Sequence, residues 1–309
     1  MAEVNRFLVR MKDGRPDVPS GLKIIDWFQR STDYAEVLVD ERGAKYLSRR
    51  KYALPANLPN THISVSAVST YLRCPLQYYW RYVHGLKIPP KSEQAFGTAT
   101  HRTIATNFRQ KIDTHEDYGP EDFAGIWATE FRNLIPEIQW EEGEKPDEIV
   151  DEGVAIARLY AQQVSPTIQP MLVEHEVNVE LPSIGTTLKG VIDVLDDSGS
   201  IIDTKTTKRT PQEDAIKHDL QMTTYSLLHR IELASQEKQL RMDYLVRTKT
   251  PKVIILRDEP RSEQAIQRLL RMYSAVCQAI RSGSYWPNPH NFMCNPNGCG
   301  YWEICQKEW

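Results

Sequence analysis

Residues 190–206 read GVIDVLDDSGSIIDTKT, and this stretch decides the fold. Two apolar runs flank a block of Asp, Ser and Gly that is typical of a turn, so the segment predicts a β-hairpin. If the turn centres on Ser198, Asp193 and Asp203 lie directly opposite each other, with Cβ atoms roughly 4.5–5.5 Å apart. Lys205 follows Asp203 by two residues and therefore lies on the same face of the strand.

The chemistry of this hairpin follows from its charges. Two carboxylates that face each other among apolar neighbours repel, so a cation is expected beside them. Lys205 supplies part of that charge, and a divalent metal such as Mg²⁺, which takes carboxylate oxygens as ligands, would supply more. A metal held by Asp193 and Asp203 could polarise a phosphodiester and activate a water, while Lys205 could orient that water or stabilise developing negative charge. The alternative interpretation is a solvent-facing hairpin with ordinary surface acids.

The elements around the hairpin predict a layered α/β fold with a short mixed sheet flanked by helices. Residues 1–60 are interpreted as a small N-terminal extension with two short strands and no functional motif, and residues 61–309 as the main domain. Helices are expected from Ser64 to about Gln110 with breaks at the prolines, twice within residues 120–165, over 212–233 and over 259–281. Strands are expected at 173–181, 191–195 and 201–204, with a hairpin of 241–247 and 252–257, and the tail after Pro287 has no regular period.

Composition excludes several classes of protein. The 309 residues are 40% hydrophobic and 26% charged, without the run of about 20 apolar residues that a membrane helix needs. The N-terminus has no signal-peptide pattern, and five cysteines are an odd number, too few for a disulfide scaffold. We therefore expect a cytoplasmic protein without a membrane partner, in a compartment where clustered cysteines bind metal more often than they pair.

Charge is distributed unevenly along the chain. The net charge is −3, but residues 113–152 carry −12 and the remainder +9. A basic surface beside an acidic segment is compatible with a polyanionic substrate steered onto one face. A solvated acidic helix face with ordinary surface lysines explains the same numbers.

The motif Gly190-x-x-Asp193 followed by Asp203-x-Lys205-Thr206 resembles the PD-(D/E)XK nuclease superfamily in its RecB-like branch. Upstream, residues 97–101 resemble the G-x-x-x-H helix of that branch, which ends here at His101. Downstream, Gln221-x-x-x-Tyr225 resembles its Q-x-x-x-Y helix. The opening around Ser64 and Cys74-Pro75 also fits, so the resemblance extends from about residue 63 to residue 305.

The resemblance implies a restriction-endonuclease-like core and a set of site residues. It implies Mg²⁺ or Mn²⁺ held by His101, Asp193 and Asp203, with Lys205 positioning the attacking water. Gln221 and Tyr225 would contact the DNA backbone or steady Lys205. Lesser candidates are Glu174 near the metal, with Glu176 and Glu180 as rivals, and Lys208 and Arg209 as phosphate contacts.

A cysteine cluster forms a second candidate site. Cys294, Cys299 and Cys305 are close in sequence, and three thiolates need a fourth ligand, for which Cys74 and His290 are candidates. Thiolates suit iron–sulfur clusters and zinc alike. The resemblance implies a [4Fe–4S] cluster on Cys74, Cys294, Cys299 and Cys305, as in AddB-type and Cas4-type nucleases, with zinc as the less favoured occupant. Cys277 is interpreted as a small buried hydrophobic residue.

Taken together, the sequence predicts a Mg²⁺- or Mn²⁺-dependent DNA nuclease. We expect an exonuclease that acts on DNA ends or single strands in DNA repair, recombination or phage DNA processing. A Cas4-like nuclease of CRISPR adaptation, a non-catalytic nucleic-acid-binding module with a metal cluster, and an iron–sulfur interaction protein are the alternatives. A homo-oligomer and a recombination-protein partner both stay open.

Overall fold

The computed structural model describes residues 5–12, 15–16, 22–29, 34–39, 53–55, 62–182 and 184–309. Internal contacts divide the chain into two compact units. The first comprises Met1–Lys87, Leu181–Thr187 and Arg271–Trp309, and the second Ile88–Glu180 and Leu188–Leu270. The predicted domain boundary near residue 60 stays a prediction. None of the helices in the described ranges is long and apolar enough to cross a membrane.

The first unit contains a small antiparallel N-terminal sheet. Its strands are β1 (Asn5–Lys12), β2 (Arg15–Pro16), β3 (Ile24–Gln29), β4 (Tyr34–Val39) and β5 (Ala53–Pro55). The order is β2-β1-β4-β3, and β5 also pairs with β1. The two strands predicted here are confirmed as β3 and β4. The sequence predictions omit β1, although its Phe7, Val9 and Met11 recur at the strand period, an alternation that Leu8 interrupts.

The first unit also carries short helices. Strand β6 (His62–Ser64) leads into α1 (Val65–Arg73), which Ser64 caps by accepting a 3.2 Å hydrogen bond from the Ala67 backbone N–H. Pro75 opens α2 (Pro75–Tyr78) at a first-turn position, where its missing N–H costs nothing, so the break at Cys74-Pro75 is confirmed. The tail contains one helix that the sequence did not predict, α8 (Trp302–Glu308).

Three helices form one layer of the second unit, namely α3 (Ser92–Thr114), α4 (Pro120–Leu134) and α5 (Pro146–Gln163). Prolines at the first helical position start α4 and α5, as the predicted breaks require. The helices share one apolar core with the sheet beneath them. Its members include Phe96, Trp127, Phe131 and Ile156 from the helices and Val194, Ile202 and Leu245 from the strands.

The sheet of the second unit is mixed, as predicted. Its strands are β7 (Pro170–Leu181), β8 (Thr186–Asp196), β9 (Ser200–Thr207), β10 (Gln239–Val246) and β11 (Lys252–Asp258). The order is β11-β10-β9-β8, and β7 also pairs with β8. Strands β9 and β10 are parallel and are joined through α6 (Leu220–Leu233), whereas β10 and β11 form the predicted antiparallel hairpin. The last long helix is α7 (Glu263–Arg281).

The central hairpin has the predicted register. Val194 pairs with Ile202 and Leu195 with Ile201, so the turn centres on Ser198. Extending this register by one pair brings Asp193 opposite Asp203. The side chain of Asp196 closes the turn by accepting a 2.7 Å hydrogen bond from the Ser200 backbone N–H.

Helix α6 begins later than the sequence predicts. It starts at Leu220 instead of residue 212, because residues 213–218 form turns and Asp219 is the N-cap. The Asp219 carboxylate accepts a 2.8 Å hydrogen bond from the Met222 backbone N–H, which satisfies a donor that the first turn would otherwise leave free. The start of α6 therefore directs the residues of its first two turns, including Gln221 and Tyr225, towards the sheet.

Candidate metal and catalytic site

Two buried carboxylates form the centre of the site. Asp193 is on β8 and Asp203 on β9, and the side chain of Asp203 has no exposed surface. The Oδ2 atom of each residue is buried without a hydrogen-bond partner. A buried, unsatisfied carboxylate oxygen is unfavourable in a finished core. Two of them side by side are therefore suited to a cation.

Cationic side chains approach both carboxylates. His101, from α3, has its Nδ1 atom 3.1 Å from Asp193 Oδ2, although the geometry is not that of a hydrogen bond. Lys205, from β9, has its Nζ atom 2.8 Å from Asp203 Oδ2 and donates a 3.0 Å hydrogen bond to Oδ1. The four residues predicted to form the catalytic set therefore come together within the second unit.

The surroundings of the two carboxylates shift their pKa values in opposite directions. Burial, opposed by Lys205 and reinforced by the Asp193 charge, raises the pKa of Asp203 to about 7. Burial also acts to raise the pKa of Asp193, but the adjacent His101 imidazole and its charge outweigh burial and lower that pKa. One acid is thus readily ionised while its neighbour retains a proton up to neutral pH, as expected for two close carboxylates.

The pKa values of the two basic groups, His101 and Lys205, are both raised. Burial lowers the pKa of His101, but the Asp193 carboxylate outweighs burial and the net shift is upward. Burial likewise lowers the pKa of Lys205, and the Asp203 charge reverses that shift. Without a metal, protonated His101 and Lys205 can thus balance part of the carboxylate charge.

Gln221 and Tyr225 complete a chain of hydrogen bonds that links the two carboxylates through Lys205. Lys205 Nζ donates to Gln221 Oε1 at 2.6 Å, and Gln221 Nε2 donates to the Tyr225 hydroxyl at 2.6 Å. Tyr225 donates in turn to Asp193 Oδ1 at 3.3 Å. The two residues lie four apart and share one face of α6. Of the two predicted roles, the geometry favours steadying Lys205, and it adds a link to Asp193.

Gly190 lets α6 lie close to the strand that carries Asp193. A Cβ atom on Gly190 would lie 2.3 Å from Leu228 Cδ1, and Leu228 is fully buried on α6, three residues beyond Tyr225. Gly97 differs, because its added Cβ would meet only Thr206 Oγ1, at 3.6 Å. Only the first of these two motif glycines is required sterically.

The variant Gly190→Ala is accordingly expected to destabilise the fold by about 1–3 kcal/mol through overpacking and to reduce any activity by displacing Tyr225. The matched variant Gly97→Ala, inside α3 and without a clash, should unfold at the wild-type denaturant concentration or above it, because alanine favours a helix interior over glycine by about 1 kcal/mol. Urea unfolding of the three proteins measures both effects. Equal midpoints for the two variants would contradict the packing argument.

The donor set fits a divalent metal. Carboxylate oxygens with an imidazole nitrogen suit Mg²⁺ or Mn²⁺, and the two unsatisfied Oδ2 atoms supply free lone pairs. Across the described ranges, no three His, Cys, Asp or Glu side chains are already arranged around a common metal position. Binding therefore requires the carboxylates to give up their contacts with His101 and Lys205, whose charges act in place of the ion.

The lesser candidates are dispersed. Lys208 is exposed and forms a 2.7 Å ion pair with Glu93, and Arg209 is also exposed. Glu174 is half-buried in β7 with φ of +49°, a left-handed conformation rare for residues other than glycine. Its rivals Glu176 and Glu180 are exposed. Sequence reasoning missed Tyr244, which pairs with Lys205 across the parallel strands, because nothing local indicates that pairing.

The predicted cysteine ligands come together in the first unit. Cys74, Cys294, Cys299 and Cys305 all line one cavity, which is partly open to solvent, whereas His290 and Cys277 do not line it. None of the four is in a disulfide. Cys277 is buried at 5% exposure, in agreement with its interpretation as a packing residue.

The C-terminal tail is joined to α1 and α2 around this cavity. The Leu76 backbone N–H donates to the Trp286 carbonyl at 3.0 Å, and the Asn288 side chain donates to the Arg73 carbonyl at 2.9 Å. Gly298 lies in the turn before Cys299, where a Cβ atom would be 2.7 Å from the Met293 carbonyl oxygen. The backbone is thus bent tightly between two of the thiols.

An all-sulfur donor set fits an iron–sulfur cluster or zinc. Burial, reinforced by the neighbouring thiols, raises the pKa of Cys299 and of Cys305. The described cysteines, like the carboxylates, do not yet surround a metal position. A metal bound among the four cysteines of the cavity would lower the pKa of Cys299 and Cys305 instead, because it binds the thiolate form.

Comparison with known proteins identifies the family to which the chain is similar. A model described as the PD-(D/E)XK nuclease superfamily matches residues 62–306. That range includes both carboxylates and all four cysteines of the cavity. No curated protein matches the chain.

Two crystal structures are similar. A candidate exonuclease from Eubacterium rectale superposes with a TM-score of 0.55 at 13% identity, covering 82% of this chain and 90% of that one. The protein SSO0001 gives a TM-score of 0.38 at 14% identity, over 86% and 92% of the two chains. The first likeness confirms the predicted fold class, an α/β restriction-endonuclease-like core with a mixed sheet flanked by helices.

Proposed function

We propose, since the chain belongs to the PD-(D/E)XK nuclease superfamily, that it is a DNA nuclease dependent on Mg²⁺ or Mn²⁺. The observation that carries this proposal is the convergence of His101, Asp193, Asp203 and Lys205, in which a buried oxygen of each carboxylate has an ion-pair contact but no hydrogen bond of regular geometry. His101, Asp193 and Asp203 would hold the ion. A divalent ion bound there supplies Lewis-acid polarisation of the phosphodiester and lowers the pKa of a bound water.

The chain's own residues do the positioning. Lys205 Nζ is held between Asp203 and Gln221, so its charge is directed at the point where an attacking water and the developing phosphate charge would lie. Tyr225 stays protonated, because burial together with the charges of Asp193 and Asp203 raises its pKa. Its hydroxyl therefore remains a donor that orients Asp193.

The finer proposal is an exonuclease acting on DNA ends or single strands. The name of the similar structure from Eubacterium rectale supports it. The setting we propose is the processing of ends in repair, recombination or phage DNA metabolism, because an exonuclease requires an end. The uneven charge of the chain is compatible with a polyanionic substrate.

A [4Fe–4S] cluster held by Cys74, Cys294, Cys299 and Cys305 completes the proposal. Support comes from four thiols around one cavity and from the hydrogen bonds that already bring the tail to α1 and α2. The cluster would cross-link residues about 220 apart in sequence. Its role is structural in this proposal, with zinc as the less favoured occupant.

The test is the degradation of linear and covalently closed circular DNA of one sequence, with and without Mn²⁺. We expect the wild type to degrade the linear form only, and only with metal. Lys205→Ala should lower the rate by roughly 10²–10³-fold, while Lys189→Ala, an exposed lysine on β8, should not change it. Absence of metal-dependent degradation contradicts the nuclease, and equal cleavage of both forms contradicts the exonuclease.

A further inference from the structure

Tyr244, beside Lys205, is a partly exposed residue in the middle of an otherwise buried strand. From Leu240 to Val246 along β10, Tyr244 is the one residue that is not buried. Strand β10 is flanked on both sides, by β9 and β11, and interior strands normally bury such positions. A partly exposed aromatic side chain at this place therefore indicates an opening in the covering of the sheet.

The register shows that this opening is a continuous row. Lys205 on β9 pairs with Tyr244 on β10, and Tyr244 pairs with Ile254 on β11. All three residues are half-buried. Since cross-strand partners lie on the same face of a sheet, they form a strip that leads from the candidate catalytic lysine to the outer strand.

The two neighbouring rows on this face are closed at β10, where Met242 and Val246 are buried. Their partners on β11, Leu256 and Lys252, are half-buried and exposed, and Thr207 on β9 is half-buried. Of these three rows, only that of Lys205, Tyr244 and Ile254 is accessible on all three strands, and we call it the shelf.

The chemistry of the shelf changes along its length. Its inner end is cationic and adjoins the carboxylates, whereas Tyr244 and Ile254 present an aromatic ring and an aliphatic side chain. The Tyr244 hydroxyl donates only a weak 3.7 Å bond to Met242 Sδ, so the ring is the main recognition element. A nucleotide has matching parts, because its phosphate is anionic and its base stacks on aromatic rings.

We propose that Tyr244 is a positioning residue on which the base next to the scissile phosphate stacks, with Ile254 extending the surface. This inference rests on the proposed nuclease function and specifies its substrate class. A base inside a duplex is already stacked and paired on its neighbours, so only an unpaired base can lie flat on the shelf. The shelf therefore selects single-stranded DNA or the frayed nucleotide at an end.

Binding, measured apart from cleavage, tests the shelf. The full-length protein carries Asp203→Asn, which prevents cleavage under the proposed function. The probes are a short single-stranded oligonucleotide with 2-aminopurine at each position in turn and the matching blunt duplex. We expect the fluorescence of one position to be quenched by stacking, and Tyr244→Leu to remove that quenching and raise the Kd for the single strand by about five- to a hundredfold.

Further variants separate stacking from loss of folding. Tyr244→Phe should preserve both quenching and Kd, because the ring stacks without its hydroxyl. Ile231→Ala is the control, an exposed apolar residue on α6 ten positions beyond Gln221, and it should bind like its parent. The duplex Kd should change by less than about twofold in Tyr244→Leu.

The outcomes distinguish this inference from the proposed function. If the parent binds the oligonucleotide and Tyr244→Leu binds it equally well, the shelf is wrong while the nuclease proposal stands. The shelf is also wrong if Tyr244→Phe loses as much affinity as Tyr244→Leu, or if duplex and single strand lose equally. If the parent binds neither DNA, the proposed substrate itself is wrong.

Discussion

Replacing Asp203 with asparagine is expected to stabilise the metal-free protein at pH 8 and, at the same time, to lower DNA cleavage by about 10³-fold or more. The two effects have one cause. The carboxylate that would hold the metal is buried next to Asp193, which makes its ionised form unfavourable until a cation is bound. Asparagine removes that charge together with the ligand.

The raised pKa of Asp203 determines how the stability of the metal-free protein changes with pH. The pKa of Asp203 rises to about 7 in the folded protein, above its value in an unfolded chain. Between about pH 4 and pH 7 the folded state therefore binds more protons than the unfolded state, and the free energy of unfolding falls as pH rises through that window. Above it, ionised Asp203 costs the metal-free fold on the order of a few kcal/mol.

Thermal unfolding without metal measures this effect. Asp203→Asn should exceed the wild-type Tm at pH 8 by about 2–4 °C for each kcal/mol, and the difference should shrink as the pH falls and vanish near pH 4, where Asp203 is protonated in the unfolded chain as well. Added Mg²⁺ should raise the Tm of the wild type and leave that of Asp203→Asn unchanged. Asp197→Asn is the control, because Asp197 is exposed in the same hairpin turn. A lower Tm for Asp203→Asn at pH 8, or full cleavage by it, would contradict the assigned ligand.

Replacing Cys299 with serine is expected to remove the visible absorption of the iron–sulfur cluster and to lower the Tm by about 10 °C or more. The cluster would close a loop of about 220 residues between Cys74 and Cys294. Cross-links over loops of that length contribute about 5 kcal/mol, and each kcal/mol corresponds to about 2–4 °C. Absorption spectra, iron content and thermal unfolding of anaerobically purified protein measure the result.

The control is Cys277→Ala. Cys277 is buried and does not line the cavity, so this variant should keep the absorption and the iron. A colourless Cys299→Ser protein with an unchanged Tm would contradict the structural role. Zinc in place of iron in the wild type would contradict the [4Fe–4S] cluster while keeping the four ligands.

Local patterns were sufficient for several features of the fold. The hairpin register follows from the turn chemistry of residues 196–200 and the even spacing around Ser198, and it is confirmed. The helix breaks follow from proline, which cannot donate a backbone hydrogen bond. The start of α6 was predicted eight residues too early, because the capping role of Asp219 is less evident in sequence than the apolar pattern around it.

The sequence by itself determined which chemistry-bearing residues are present and which of them share a strand or a helix face, because turn geometry and periodicity act over a few residues. Only the tertiary structure decided what links them. Strand β10 adds to β9 after a helical crossover, which brings Tyr244 beside Lys205, and the close approach of α6 at Gly190 lets Tyr225 reach Asp193. Burial then raises the pKa of Asp203, while His101 lowers that of Asp193. These contacts join residues distant in sequence, so they depend on packing that no local pattern encodes.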